Sequence, residues 1–150
     1  MSRVDLKKRS EAAAGKPAPF GPDIDFAAYP AEAAEHGEVA RLTELPEEVR
    51  ERALSVGVDT GEECRRGSFF QLDHSVVFAA AYQNGLEVMD IAAALEKYDW
   101  LKEYWWNALA VDADKYTARA ELEPHHGYFL RALPGAKAEF PLQACLYLTQ

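Results

Sequence analysis

The sequence lacks most of the features that mark secreted, membrane and metal-binding proteins. Its two cysteines, Cys64 and Cys145, lie far apart without a CxxC pair, which argues against a disulfide framework or a zinc knuckle. Its apolar runs fall far short of the roughly 20 residues that a membrane helix needs, and its beginning has no apolar signal core. The sequence therefore predicts a soluble protein of the cytoplasm.

Positive charge is also scarce. The 16 basic and 25 acidic residues give a formal net charge of -9, which repels phosphate backbones and anionic lipids. Residues 16–63 hold 12 acidic and 4 basic side chains, and so carry most of this charge. We interpret them as a solvated acidic connector rather than a site for a basic partner. Nucleic acid and membrane surfaces are therefore not expected partners.

Motifs of known enzyme classes are absent too. The sequence has no glycine-rich phosphate loop, no GxSxG, no HExxH and no paired-carboxylate motif. Cys64 is expected to be a surface thiol, since no motif ties a general base to it. Cys145 lies in an apolar run and is expected to be a small core residue. An enzyme complete within this chain is therefore not predicted.

Of all residues in the sequence, the histidines come closest to the pattern of a metal-binding motif. His125 and His126 are adjacent, so their side chains point in different directions, and no third ligand follows at a recognisable spacing. His74 follows Asp73 in a predicted hairpin turn, whose chemistry explains both polar residues. We therefore predict no catalytic, cofactor-binding or metal-binding residue. One alternative stays open, a self-contained metal-dependent enzyme that uses His74, His125, His126 and one of the cysteines.

The order of the predicted elements indicates an α+β fold. A hydrophobic content of 49% over 150 residues is enough for a core. Residues 1–19 fit a short helix or a mobile arm equally well. Further helices are predicted at 46–56, 91–98, 100–109 and 113–122, the last three after Asp90, Asp99 and Asp112. Strands at 68–72, 75–81 and 86–89 form a small antiparallel meander, with Asn84-Gly85 as the second turn.

The stretch around which the chain is organised is residues 128–148, near its end. Residues 128–148 read as a strand, a turn at Pro134-Gly135 and two further strands. Only Thr149 and Gln150 follow, so we expect the final strand to be an unprotected edge. This pattern predicts three segments: an arm and acidic connector at 1–44, an α+β domain at 45–127, and the first strands of a β-helix-like core at 128–150.

Aromatic residues crowd one short stretch. It is too wide for a single buried stripe on one helix, so part is expected to pack against the sheet. The remainder is either core or a partner surface, and we favour core packing. The cluster consists of Tyr98, Trp100, Tyr104, Trp105 and Trp106.

The most distinctive piece of the sequence is the turn Leu133-Pro134-Gly135-Ala136 followed by Phe140-Pro141-Leu142-Gln143. With the pieces before it, this stretch resembles the N-terminal part of SufB/SufD family proteins, in which a similar stretch leads into the core β-helix. The turn departs from the family's usual form. The resemblance spans about residues 45 to 148, and its other pieces lie at 45–49, 67–73, 85–89, 114–118 and 127–130.

The resemblance implies a role in iron-sulfur cluster assembly in the cytoplasm. SufB and SufD proteins form a complex with the ATPase SufC, so a SufC-like ATPase and a SufB/SufD-like partner are the implied partners. The family's reactive residues lie mainly beyond this stretch, so no functional residue is transferred and no cofactor is expected in this segment. We expect a scaffold or interaction role rather than catalysis. A second alternative is a small module that pairs through its final strand, by β-augmentation or as a homodimer.

Overall fold

The structure is a computed structural model, and it describes residues 3–29, 32–61, 63–124 and 126–149. The chain forms two compact units. The first contains Met1–Ala31 and Ala92–His125, and the second contains Glu32–Ile91 and His126–Gln150. The chain contains several helices, and its strands form small sheets, which confirms the predicted α+β class. Along the described residues, no helix is long and apolar enough to cross a membrane.

The first unit is helical. Helix α1 (Arg3–Ala13) packs against α4 (Lys115–Leu122). Residues 1–19 thus contain a short helix, one of the two predicted options, and the helix predicted at 113–122 is present as α4. Arg9 of α1 donates two hydrogen bonds to Asp112, at 2.9 and 2.5 Å. Asp114 caps α4 by accepting from the backbone N–H groups of Tyr116 and Thr117. The prediction placed this cap at Asp112, two residues too early.

The aromatic stretch does not form the predicted helix at 100–109. Helix α3 (Ile91–Lys97) ends before it, and a short 3-10 helix, Asp99–Glu103, is followed by turns. Trp106 has a φ of 56°, which a right-handed helix does not allow. The 3-10 helix has already ended at Glu103, and the angle at Trp106 is incompatible with a helix over the rest of the predicted range.

The second unit contains two sheets. Strands β1 (Gly67–Leu72) and β2 (Ser75–Ala81) form the predicted hairpin, and β5 (Leu142–Tyr147) joins β1 on its other side in parallel, so the order is β2-β1-β5. Strands β3 (Leu86–Asp90) and β4 (Tyr128–Ala132) form a separate antiparallel pair. The tail thus holds two strands, in different sheets, rather than the three predicted.

The predicted pairing of β2 with β3 is wrong, and another segment lies beside the first half of β2. Val39 donates its backbone N–H to the carbonyl of Val77 at 2.9 Å, and the N–H of His36 donates to Ser75 Oγ at 2.9 Å. The turn at Gly85 (φ 82°) does form. The chain then leaves the plane of the first sheet, and β3 pairs with β4 instead.

Helix α2 (Glu47–Ser55) covers one face of the β2-β1-β5 sheet. Leu45, Val49 and Ala53 are buried in one cluster, as their spacing predicts. Val56 was predicted to share this stripe and is 76% exposed, because it lies past the end of the helix. The cluster also contains Leu42, Phe70, Leu72, Val77 and Phe78.

Gly67 lets the sheets approach each other closely. A Cβ at this position would lie 2.7 Å from Val88 Cγ2, 2.9 Å from Leu142 Cδ2 and 3.1 Å from the carbonyl oxygen of Ala80. Val88 belongs to β3 and Leu142 opens β5. Because the neighbours are branched side chains and backbone, an added methyl group forces them apart.

We expect Gly67→Ala to lower the free energy of unfolding by about 1–3 kcal/mol, because overpacking displaces both neighbours. Urea denaturation monitored by far-ultraviolet circular dichroism measures the effect, because Trp100, Trp105 and Trp106 all lie in the first unit and Gly67 lies in the second. Gly37→Ala is the matched control in the same unit, since nothing lies within 4 Å of its added Cβ. Equal stability of the two variants would contradict the close approach at Gly67.

Candidate functional site

The parallel edge strand β5 is the candidate site, and Gln143 fixes its first half. The carboxamide oxygen of Gln143 accepts from the backbone N–H of Asp59 at 3.1 Å and from Arg65 Nε at 2.9 Å. Its Nε2 donates to the carbonyl of Asp59 at 2.6 Å and to Ser68 Oγ at 2.9 Å. Ser68 is fully buried. Gln143 therefore ties the loop before β1, β1 itself and β5 together.

The residues before β5 set where its pairing with β1 begins. The N–H of Arg66 donates to the carbonyl of Pro141 at 3.1 Å. The Arg66 guanidinium lies 4.6 Å from the ring centroid of Phe140 and forms an ion pair with Glu139 at 3.0 Å. These contacts place Leu142 opposite Gly67, which starts the parallel register.

Asp73 fixes the other end of β5. It lies in the turn between β1 and β2 with a φ of 48° and is 6% exposed. Its Oδ1 accepts from the N–H of Thr149 at 2.8 Å, and its Oδ2 accepts from Thr149 Oγ1 at 2.6 Å and His36 Nε2 at 3.0 Å. Its own N–H donates to the carbonyl of Tyr147. One carboxylate therefore holds the hairpin turn, the connector and the end of β5.

These contacts lower the pKa of Asp73 to about 2, from an ordinary value of 3.8. The hydrogen bond from the Thr149 hydroxyl is the largest cause, and those from His36 and the Thr149 backbone follow. A carboxylate that accepts several hydrogen bonds holds its charge at lower pH. The folded protein therefore gains stability from this site while Asp73 is ionised.

The two edges of the β2-β1-β5 sheet differ. Residues 36–39 lie along the outer edge of β2, whereas β5 pairs with β1 alone among the described residues. Cys145 and Tyr147 pack against the buried core. Leu146 is 57% exposed, and Leu148, just past the strand, is 75% exposed. One ordered edge with exposed leucines is thus available for another strand.

The structure brings His74 and His126 together as a stacked pair. Both are exposed, and their rings stack with centroids 5.3 Å apart and planes 17° apart. Metal ions lie in the plane of a ligating imidazole, so two stacked rings do not direct their nitrogens at one ion. His125 lies outside the described residues. Within the described part of the chain, no three His, Cys, Asp or Glu side chains are grouped to hold a metal.

The cysteines and the aromatic residues differ in how exposed they are. Cys64 is exposed, and Cys145 is half-buried, which raises the pKa of its thiol. Trp105 is half-buried, while Trp100 and Tyr104 are 42% and 65% exposed. The aromatic cluster therefore has half-buried and exposed members, and it belongs to the first unit. Its packing against the sheet stays a prediction.

Comparison with profiles of known protein families gives no match. Curated proteins do match. A protein of Methanothermobacter thermautotrophicus strain Delta H, named "Iron-sulfur cluster assembly SufBD family protein", is 46% identical over 149 residues, covering 96% of this chain and 36% of that protein. The chain is homologous to SufBD family proteins. A homolog from strain Winter is 44% identical over 149 residues, with the same shares covered.

A SufBD family protein of Archaeoglobus fulgidus is 44% identical over 99 residues, which are 66% of this chain and 27% of that protein. The resemblance to SufB/SufD proteins is thus confirmed. The chain spans about a third of the length of the two Methanothermobacter relatives. Residues 140–143, which belong to the sharpest part of the resemblance, lie where β5 begins.

We expect Asp73→Asn to destabilise the chain by about 1–3 kcal/mol near neutral pH, because the amide replaces one charged acceptor by a donor. Since the folded pKa lies below the unfolded one, the stabilisation is complete above about pH 4 and is lost as the pH falls toward about 2. The difference in the free energy of unfolding between the parent chain and the Asp73→Asn variant should therefore become smaller as the pH falls over that range. Urea denaturation at several pH values measures it.

The matched control for this experiment is Glu51→Gln, an exposed carboxylate on α2 in the same unit. Its unfolding free energy should follow that of the parent chain at each pH. If the difference in unfolding free energy between the parent chain and the Asp73→Asn variant stays constant down to about pH 2, the charge of Asp73 does not have the stabilising role described.

Proposed function

We propose that this chain is the N-terminal part of a SufB/SufD-like component of the iron-sulfur cluster assembly machinery, with a scaffold role rather than a catalytic one. The observation that carries the proposal is the edge strand β5. It is fixed at both ends by Gln143 and Asp73, and within the described ranges it pairs with β1 only, so its outer edge can take another strand. An ordered edge of this kind supports continuation into a larger β structure, such as the predicted β-helix-like core.

The homologous SufBD proteins support the assembly machinery as the setting, and the chain matches only about a third of their length. A SufC-like ATPase and a second SufB/SufD-like subunit are the proposed partners, and the cytoplasm is the proposed location. These three points rest on the family resemblance alone. In this proposal the iron-sulfur cluster is cargo of the full complex, and no residue of this chain is its ligand.

The same edge favours a second candidate, a small interaction module that pairs through β5 with another chain or with its own copy. Main-chain hydrogen bonds supply the affinity in such β-augmentation, and the exposed leucines supply specificity. The two candidates differ in what covers β5. In the scaffold it is the rest of the same protein, and in the module it is a second molecule.

A chimera tests the proposal. The chain replaces the homologous third of the Methanothermobacter relative, and the protein is purified with its partners and reconstituted with iron and sulfide. We expect Leu146→Asp with Leu148→Asp to lower the melting temperature by several degrees and to reduce cluster content, because charges at a buried strand pairing cost about 2 kcal/mol or more. Thermal melting and iron content are the measurements.

Val56→Asp is the matched control, since Val56 is as exposed as Leu148 but lies at the end of α2. It should melt and load as the parent chimera does. His74→Ala with His126→Ala should also retain its cluster. Loss of the cluster in a folded histidine variant, with no effect at the leucines, would overturn the scaffold role. A stable homodimer of the isolated chain that Leu146→Pro dissociates would favour the interaction module.

A further inference from the structure

The first unit contains a cavity of about 270 Å³. Sites for small molecules usually measure about 300–1,000 Å³, so this one fits a small metabolite. Its apolar lining comes from Leu6, Ala92, Leu95 and Trp105, and its charged lining from Arg3, Glu96, Lys102 and Glu121. Both signs of charge therefore border one apolar space.

Glu121 is held in a fixed position at this cavity. Trp105 Nε1 and Trp106 Nε1 both donate to its Oε2, at 3.0 and 2.5 Å. Two rigid indoles on one carboxylate oxygen leave little freedom to the side chain. A ligand ammonium would therefore meet a carboxylate that needs no reorganisation.

The backbone beside the cavity is strained. Trp106 has a φ of 56°, a conformation that a bulky residue rarely adopts. Such strain concentrates at ligand sites. Here the strained residue supplies one of the two indole N–H groups that hold Glu121, which links the strain to the site.

The positive side of the cavity is formed by Arg3 and Lys102. Lys102 forms an ion pair with Asp99 at 2.6 Å, but Asp99 is 93% exposed, so water screens this pair. A ligand carboxylate can therefore compete for Lys102 and gain a second cation from Arg3. Arginine is well suited to a carboxylate because its planar guanidinium donates two parallel hydrogen bonds.

We propose that this cavity binds a free amino acid with an apolar side chain. The ligand ammonium pairs with Glu121, the ligand carboxylate pairs with Arg3 and Lys102, and the side chain packs against Leu6, Leu95 and Trp105. The site uses the first unit alone and is independent of the role proposed for β5. An unbranched amine or a simple carboxylate would satisfy only one of its two charges.

Isothermal titration calorimetry of the chain with L-leucine and L-phenylalanine tests this site. We expect saturable binding, and at least tenfold weaker binding of N-acetyl-leucine, which lacks the ammonium, and of leucinamide, which lacks the carboxylate. A tenfold loss corresponds to about 1.4 kcal/mol, a reasonable value for one charged hydrogen bond in a partly exposed site.

Two variants assign the charges. Arg3→Ala should weaken leucine binding at least tenfold and leave leucinamide binding unchanged, and Glu121→Gln should weaken both. Lys7→Ala is the matched control, because Lys7 lies on α1, is 70% exposed and does not line the cavity. Circular dichroism confirms that each variant is folded. No saturable heat for either amino acid up to about 10 mM, or equal affinity of the Arg3→Ala and Lys7→Ala variants, would overturn the proposal.

Discussion

The second unit depends on the parallel pairing of β1 with β5, two strands that lie far apart in the chain. A parallel pair cannot be closed by a tight turn, and ordering so long a connection costs conformational entropy. The chain meets this cost with specific contacts at both ends of the pair. Gln143 and the backbone around Arg66 hold one end, and Asp73 holds the other. Gly67 provides the space that the first pair of residues needs.

This arrangement also explains why one side of the sheet is closed and the other is open. The acidic connector was expected to be a solvated segment, yet its residues 36–39 lie along β2 and donate hydrogen bonds to it. His36 then contacts Asp73, so the connector and the end of β5 share one carboxylate. The result is a sheet whose remaining edge is β5, with leucines exposed beside it. That asymmetry is the physical basis of the scaffold proposal.

Sequence reasoning succeeded where local signals decide the structure. The β1-β2 hairpin, helix α2 and the early part of α3 follow from turn residues, caps and apolar spacing within a few residues. It failed where distant residues compete. Strand β3 pairs with β4, which is remote in the chain, and Trp106 adopts a positive φ. Neither leaves a mark in the local pattern.

The candidate site was predictable only in part. Gln143 stood in the motif that carries the family resemblance, but its four hydrogen bonds depend on Asp59, Arg65 and Ser68, which are remote in sequence. Asp73 was explained by turn chemistry alone, and its turn geometry is indeed present. Its bonds to Thr149 and His36 required the fold. The sequence does not predict a role for Glu121, because a carboxylate on a helix gives no local sign that two distant indoles donate hydrogen bonds to it.

Amide hydrogen exchange along β5 tests the central claim most directly. In the isolated chain, we predict protection of the β5 amides that face β1 and rapid exchange of the alternate amides that face outward. In a full-length SufBD protein that carries this segment, both sets should be protected, because another strand then covers the edge. Outward amides that exchange equally fast in both proteins would contradict the claim that β5 continues into a larger sheet.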